Sequence, residues 1–295
     1  MKRSLIIIAV ILVAGFAAVS VWKGNRDVVE PAMEGGSGLS EAQKAEIRRF
    51  WDVYPRAVKL HRQGQWNEAA AAYREALAVD PLHEDALYNL GNVMFELDAY
   101  EEAIGFWRRL IDVNPITARA HLQLGAIHSC GVSDTPFDLD IAEKEFQRAL
   151  AINQEETGPV LKLGEVALLK GDTSRALVYL ETVLQTNSKS VAANYLRGYV
   201  KWRMSDHQTA LSSLRQAVAF SGVKKFGDSP SGEGDTRGGK GPMLAGSADR
   251  MSFFAPFWMA LKTRDSNDVS PEQMQEEYNR LDRRLELLVG DRHDR

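Results

Sequence analysis

Residues 85–115 read DALYNLGNVMFELDAYEEAIGFWRRLIDVNP, and this stretch decides the fold. Ala86, Leu87, Leu90, Val93 and Met94 are spaced so that a helix gathers them on one stripe. Asp98-Ala99 interrupts the pattern, which resumes through Ala103, Ile104, Trp107 and Leu110 and stops at Asn114-Pro115. Proline cannot continue a helical hydrogen-bond ladder, so it commonly follows a helix end. The stretch is therefore two amphipathic helices joined by a tight turn. Gly91 and Ala103 are small where two antiparallel helices would approach closely, and Trp107, four residues after Ala103, is large enough to fill the gap between them.

Working outward, the same unit recurs. Gly91 has counterparts at Gly125, Gly164 and Gly198, the first three of these glycines preceded by Leu90, Leu124 and Leu163. Asp80-Pro81 and Asn114-Pro115 place prolines 34 residues apart. Alanines stand at Ala69, Ala103, Ala142, Ala176 and Ala210, each followed four positions later by Tyr73, Trp107, Phe146, Leu180 or Leu214. Turn residues fall between the helices at Gly64-Gln65, Asp98-Ala99, Gly171-Asp172 and Ser205-Asp206. A single helical pair cannot bury its apolar face, so neighbouring pairs must stack into a continuous core.

These residues resemble the tetratricopeptide repeat, whose 34-residue unit carries W-x2-L-G-x2-Y, then Ala, Phe, Ala and Pro. The resemblance implies an all-α chain, an α-solenoid of about five helix-turn-helix repeats at residues 50–83, 84–117, 118–156, 157–190 and 191–224, within an array over 40–221. The layout is similar to that of membrane-anchored bacterial members of the family. The third repeat carries an insertion between its helices at residues 129–140, SCGVSDTPFDLD. Arg56-Ala57 and Arg197-Gly198 replace Leu-Gly in the first and last repeats, as terminal repeats commonly do.

In the family the first helix of each repeat lines a concave groove. By that resemblance the second, fifth, ninth and twelfth positions face it: Trp51, Tyr54, Val58 and His61; Asp85, Tyr88, Asn92 and Phe95; Arg119, Leu122, Ala126 and Ser129; Gly158, Leu161, Glu165 and Leu168; Ala192, Tyr195, Tyr199 and Trp202. The strongest candidates for contact with a partner are Tyr54, His61, Tyr88, Asn92, Phe95, Arg119, Tyr195, Tyr199 and Trp202. Tyr195, Tyr199 and Trp202 share one helix face, open either to the groove or to the C-terminal segment. Chaperone-binding members hold a peptide carboxylate in a lysine- and asparagine-rich clamp. Here Tyr54 and Val58 stand at the first two clamp positions, and Asn89 and Asn92 keep asparagine only in part.

The flanks differ in character. Residues 5–22, LIIIAVILVAGFAAVSVW, follow Lys2 and Arg3. These 18 residues would span roughly 27 Å as a helix, close to a bilayer core. Residues 1–23 are expected to be a retained transmembrane anchor or a cleaved signal peptide, with a buried helix as a third option. Residues 24–39 form a linker. The array would then lie on the extracytoplasmic, periplasmic side of an inner membrane crossed once, or be periplasmic or secreted after cleavage. Ser40 and Gln43 form a capping box at the start of a helix. Residues 222–250, with eight glycines, are expected to be a disordered linker. Residues 251–295 hold the aromatic run MSFFAPFWMAL and then a helix from Pro271, capped by Ser270 and Gln273, whose Met274, Tyr278, Leu281, Leu285 and Leu288 form a stripe. The aromatic run has three possible placements: on the last repeat, in the groove, or at a membrane interface.

Composition argues against several classes of function. The 295 residues carry a formal net charge of −4, without the basic excess of a nucleic-acid binder. One cysteine can form neither an internal disulfide nor a thiolate metal site. No phosphate-binding loop, nucleophile elbow or zinc-protease motif occurs, and His121 and His128 lack an evident third ligand. The expected function is a non-enzymatic scaffold tethered to a membrane, without cofactor or metal, holding a protein or peptide partner of an envelope complex in its groove. The alternative is a self-associating component of a membrane-tethered homo-oligomer.

Overall fold

The computed structural model describes residues 40–131, 135–221, 251–263 and 269–293. The chain divides into two compact units, Met1–Ala45 and Glu46–Arg295. Of the first, residues 40–45 are described, and they hold a reciprocal cap. The Ser40 backbone N–H donates to Gln43 Oε1 at 2.9 Å, and the Gln43 N–H donates to Ser40 Oγ at 3.2 Å. The helix they start is α1, Glu41–Arg62.

The described residues are helical, without a strand. After α1 come α2 (Trp66–Val79), α3 (Glu84–Glu96), α4 (Tyr100–Val113), α5 (Ala118–His128), α6 (Leu139–Ile152), α7 (Thr157–Leu169), α8 (Thr173–Thr186), α9 (Val191–Arg203) and α10 (His207–Ser221). Successive helices pack in hairpins, α3 on α4, α5 on α6, α7 on α8 and α9 on α10, and the hairpins stack through α2–α3, α4–α5, α6–α7 and α8–α9. This is the repeating solenoid that the sequence periodicity implies.

The turns explain the regularity. Gly64, Asp98, Gly171 and Ser205 adopt left-handed backbone, with φ of 72°, 58°, 78° and 61°. A short reversal between antiparallel helices needs such a residue. Among the described residues of the third repeat no left-handed residue joins the two helices. Its insertion is pinned instead by the Asp138 N–H to His128 O bond at 2.8 Å, and Asp138 then caps α6 by accepting from the N–H groups of Asp140 and Ile141.

The periodic alanines and their large partners form the core. Ala69, Ala103, Ala142, Ala176 and Ala210 are fully buried, as are Tyr73, Trp107, Phe146, Leu180 and Leu214. A Cβ on Gly125 would lie 2.6–2.9 Å from the Phe146 ring, and a Cβ on Gly91 would strike the Trp107 indole. The glycines therefore admit aromatic rings against helix backbone. Gly198 departs from this pattern. Its space is taken by the Tyr278 hydroxyl from the C-terminal helix rather than by its own hairpin.

Two further elements follow. A short helix, α11 (Ala255–Met259), runs into a 3-10 turn at Ala260–Thr263. The last helix, α12 (Pro271–His293), starts at a second reciprocal cap between Ser270 and Gln273. Its Met274, Tyr278, Leu281 and Leu285 are buried in a common core with α9 and α10.

One expectation is corrected. Among the described residues no helix is long and apolar enough to cross a membrane, which overturns the reading as a single-pass inner-membrane protein. The two longest helices, α1 and α12, carry charges along most of their length, including Arg48, Arg49, Asp52, Arg56 and Lys59 in α1. Residues 1–39, on which that reading rested, and the expected linker at 222–250 lie outside the described residues.

Candidate functional site

Repetition alone would give one uninterrupted concave face. The C-terminal segment divides it. Ser252 donates to Glu165 Oε2 at 2.9 Å, and Phe253, Phe254 and Phe257 join the core that contains Leu161, Leu168, Tyr195, Tyr199 and Trp202. Phe253 also fills the space that a Cβ on Gly131 would need, so the cover begins at the insertion within the third repeat.

Tyr195, Tyr199 and Trp202 lie together on α9, as their spacing requires, and α12 lies on that face. The Tyr195 hydroxyl donates to Glu277 at 2.9 Å, the Tyr199 hydroxyl to Asp282 at 2.6 Å, and Trp202 Nε1 to Gln275 at 2.8 Å. Tyr278 sits among their rings, 5.7–6.0 Å from each centroid, and donates to the Tyr195 carbonyl at 3.3 Å. Of the two surfaces these three side chains could meet, the structure gives them the chain's own tail. Next to them Lys162 and Glu165 form an ion pair at 3.1 Å with both side chains 5% exposed. A buried pair of this kind depends on further hydrogen bonds for compensation, and the Ser252 hydroxyl supplies one.

Burial holds the Tyr195 and Tyr278 hydroxyls well above the ordinary tyrosine pKa, with Glu277 adding to the effect, and raises Tyr199 together with its bond to Asp282. The folded state therefore keeps these phenols neutral. Stability is full below the unfolded value of 10.0 and is lost as pH rises past it towards the raised folded values. We expect a stability plateau below pH 10, then a loss of up to roughly 1.4 kcal/mol per pH unit for each tyrosine still protonated in the fold. Tyrosinate absorbance should lag behind that of a free tyrosine and then rise together with loss of helical circular dichroism. Ionisation of these tyrosines at the ordinary pH, with helices intact, would contradict it.

The other end of the groove is open. A cleft of about 560 Å³ is lined by Trp51, Tyr54, Pro55, Val58, Lys59, Arg62, Gln63, Asp85, Tyr88, Asn89 and Arg119. Trp51 is 56% exposed. Tyr54 is half-buried and stacks on Phe50 at 5.3 Å. Its hydroxyl accepts from Asn89 Nδ2 at 3.2 Å. Burial, with a contribution from Asp85, pushes its pKa up to about 12, so it stays a neutral donor. Tyr88 accepts from Gln123 Nε2 at 2.7 Å. The Arg119 guanidinium lies 4.8 Å from the Tyr88 ring centroid and pairs with Asp85.

The remaining candidates are spread more widely. His61 is buried beside Tyr73, with Nδ1 3.2 Å from its hydroxyl. Asn92 is buried. Phe95 is half-buried, 5.5 Å from the Tyr100 ring. None of these three lines the cleft. The cleft brings together Tyr54, Tyr88 and Arg119 from the candidate set and adds Lys59 and Arg62, which groove positions did not point to. The signal available for those two was adjacency, since both lie on the last turn of α1, one and four residues beyond Val58. Among the described residues no cluster of His, Cys, Asp or Glu could hold a metal ion. His121 instead meets Glu145 at 2.6 Å, and His128 donates to the Pro136 carbonyl at 2.6 Å.

Comparison with known proteins follows the same lines. Residues 59–98 match the family described as TPR repeat, and residues 85–115 the family described as tetratricopeptide repeat. Over residues 59–115 the chain is similar to tetratricopeptide repeats. It is 24% identical over 158 residues to the tetratricopeptide repeat and J domain-containing co-chaperone DNJ1 of Fusarium oxysporum f. sp. lycopersici, covering 53% of this chain and 30% of that protein. It is 25% identical over 171 residues to anaphase-promoting complex subunit 3 of Schizosaccharomyces pombe, covering 58% and 24%. The chain thus spans less than a third of the length of these curated relatives, 30% and 24%. Among solved structures, MamA from Desulfovibrio magneticus RS-1 superposes with a TM-score of 0.50 at 14% identity, over 59% of this chain and 94% of that one. That likeness concerns the fold. Tetratricopeptide repeats serve as protein-interaction scaffolds and are typically non-catalytic.

Proposed function

We propose that this chain is a non-catalytic scaffold that holds a peptide or protein segment in the groove of its first three repeats. One observation carries the reading. Glu165, Tyr195, Tyr199 and Trp202, at groove positions of the fourth and fifth repeats, are covered by the chain's own C-terminal segment, whereas the cleft lined by Trp51, Tyr54, Tyr88 and Arg119 is open. Tryptophan, tyrosine and arginine are the residue types that dominate binding energy at protein interfaces, and here Trp51 is exposed and Tyr54 half-buried. Trp51, 56% exposed, leaves most of its ring available to a partner beside the other residues of the cleft. Leucine, asparagine and alanine at neighbouring groove positions would offer shape complementarity and little energy.

The test is quantitative affinity capture with the full chain as bait, beside Trp51→Ala, Tyr88→Phe and Tyr199→Phe. Trp51 is 56% exposed and meets only the edges of neighbouring rings, Phe50, Tyr54 and His83, so its substitution should cost the fold little. Trp51→Ala should reduce recovery of specific partners at least tenfold, since interface tryptophans commonly contribute more than about 2 kcal/mol. Tyr199→Phe, which alters the covered half, should leave recovery unchanged. A partner set insensitive to Trp51→Ala would remove the open cleft as the binding site.

A further inference from the structure

The molecule contains one worked example of what its groove accepts. On α9 the fifth and ninth positions of the repeat, Tyr195 and Tyr199, turn their hydroxyls to carboxylates on an amphipathic helix, Glu277 and Asp282 of α12. The apolar stripe of that helix then packs on the same rings. Tyr54 and Tyr88 occupy the same fifth position in the first two repeats, and both line the open cleft. Each accepts from a neighbouring amide, Asn89 or Gln123; the hydroxyl of half-buried Tyr54 keeps its own O–H proton for an incoming acceptor, whereas Tyr88 is buried and lines the cleft beneath Arg119.

Charge at the cleft points the same way. Asp85 is already matched by Arg119. Lys59 and Arg62 sit at the mouth, and among the described residues neither is drawn into an ion pair. The cleft is therefore cationic in balance, with the Tyr54 phenol at its wall and Trp51 and Val58 as its apolar lining.

From this we infer that the open cleft binds an amphipathic helix of a partner that presents carboxylates beside an apolar stripe, as α12 does at the other end of the groove. This rests on the cleft being the binding site. The carboxylates meet the Tyr54 hydroxyl and the Lys59 and Arg62 cations, and an apolar side chain covers Trp51.

The chain itself supplies the probe, a fluorescein-labelled synthetic peptide of residues 271–293. A second peptide carries Gln or Asn at every Glu and Asp. Binding to the full chain is read by fluorescence anisotropy at low and high salt. The native peptide should bind at least tenfold more tightly than the amide peptide and weaken as salt rises, because the cations at the mouth are screened. Lys59→Glu with Arg62→Glu should weaken it about tenfold, and Trp51→Ala should do likewise. Tyr195→Phe with Tyr199→Phe should not change it. Equal binding of the two peptides would overturn the inference, and if Trp51→Ala still abolished both, the cleft would stand as the site with its preference misassigned. Sensitivity to the Tyr195 and Tyr199 changes alone would mean that the peptide exchanges with the tail, which also overturns it. No binding of either peptide overturns it as well, while Trp51-dependent capture of partners would keep the cleft as the site.

Discussion

Trp107→Ala should lower the stability of the first two repeats by about 3–5 kcal/mol, the usual cost of emptying a buried aromatic site. Trp107 is fully buried, and its indole lies where a side chain on Gly91 would stand, between the two helices of the second hairpin. Nothing nearby can collapse into that space without moving α3 against α4. Trp107 Nε1 has no hydrogen-bond partner, so the loss is one of packing. Trp107→Phe should therefore cost only about 1–2 kcal/mol, the loss of part of the ring volume. Gly91→Ala is a sharper companion. It improves helix propensity by about 1 kcal/mol, yet its Cβ would lie 2.7 Å from Cδ1 of the indole. Net destabilisation by Gly91→Ala would show that the clash dominates. In a stacked array stability is a sum over repeats and their interfaces. Urea unfolding of Trp107→Ala should accordingly separate into two steps, with the N-terminal repeats lost first. A single transition at the unmutated midpoint would rule the packing account out.

Tyr278→Ala should release α12 from the groove while the repeats stay folded. The residue is fully buried, its hydroxyl fills the space beside Gly198, and its ring contacts Tyr195, Tyr199 and Trp202. Removing it costs about 3–5 kcal/mol of docking free energy, which is as large as the stability of many local units. Pulse proteolysis should then cut α12 at low protease while far-ultraviolet circular dichroism falls only by the share of that helix. Trp202 emission should shift to the red as its indole meets water. Tyr278→Phe keeps the ring and loses one hydrogen bond, for about 1 kcal/mol, and should keep α12 protected. If Tyr278→Ala resists protease as well as the parent chain, Tyr278 is not what holds the tail.

The hairpins were legible in the sequence because their determinants are local. Gly91, Ala103 and Trp107 lie within one 34-residue unit, and each recurrence at Gly125, Ala142 and Phe146 restates the same packing problem. The same logic gives the caps at Ser40 and Ser270, where donor and acceptor are three residues apart. The membrane assignment had a different basis. It rested on the apolar run of residues 5–22, its length and the preceding Lys2 and Arg3, and no described helix is long and apolar enough to cross a membrane.

The groove was legible only in part. Sequence spacing assigns Tyr54, Tyr88, Tyr195 and Tyr199 to equivalent positions and cannot tell an open face from a covered one. An aromatic stripe has the same pattern whether its partner is another protein or a segment of its own chain. Tertiary structure separates the two halves through contacts between residues 82 and 83 apart, Tyr195 with Glu277 and Tyr199 with Asp282. The sequence by itself determined a helical array of repeats, because helix periodicity and close approach at small residues are short-range requirements. Only the tertiary structure decided that the C-terminal helix covers Tyr195, Tyr199 and Trp202 and leaves the cleft at Trp51 and Tyr54 open, because that choice depends on surfaces meeting across nearly a third of the chain.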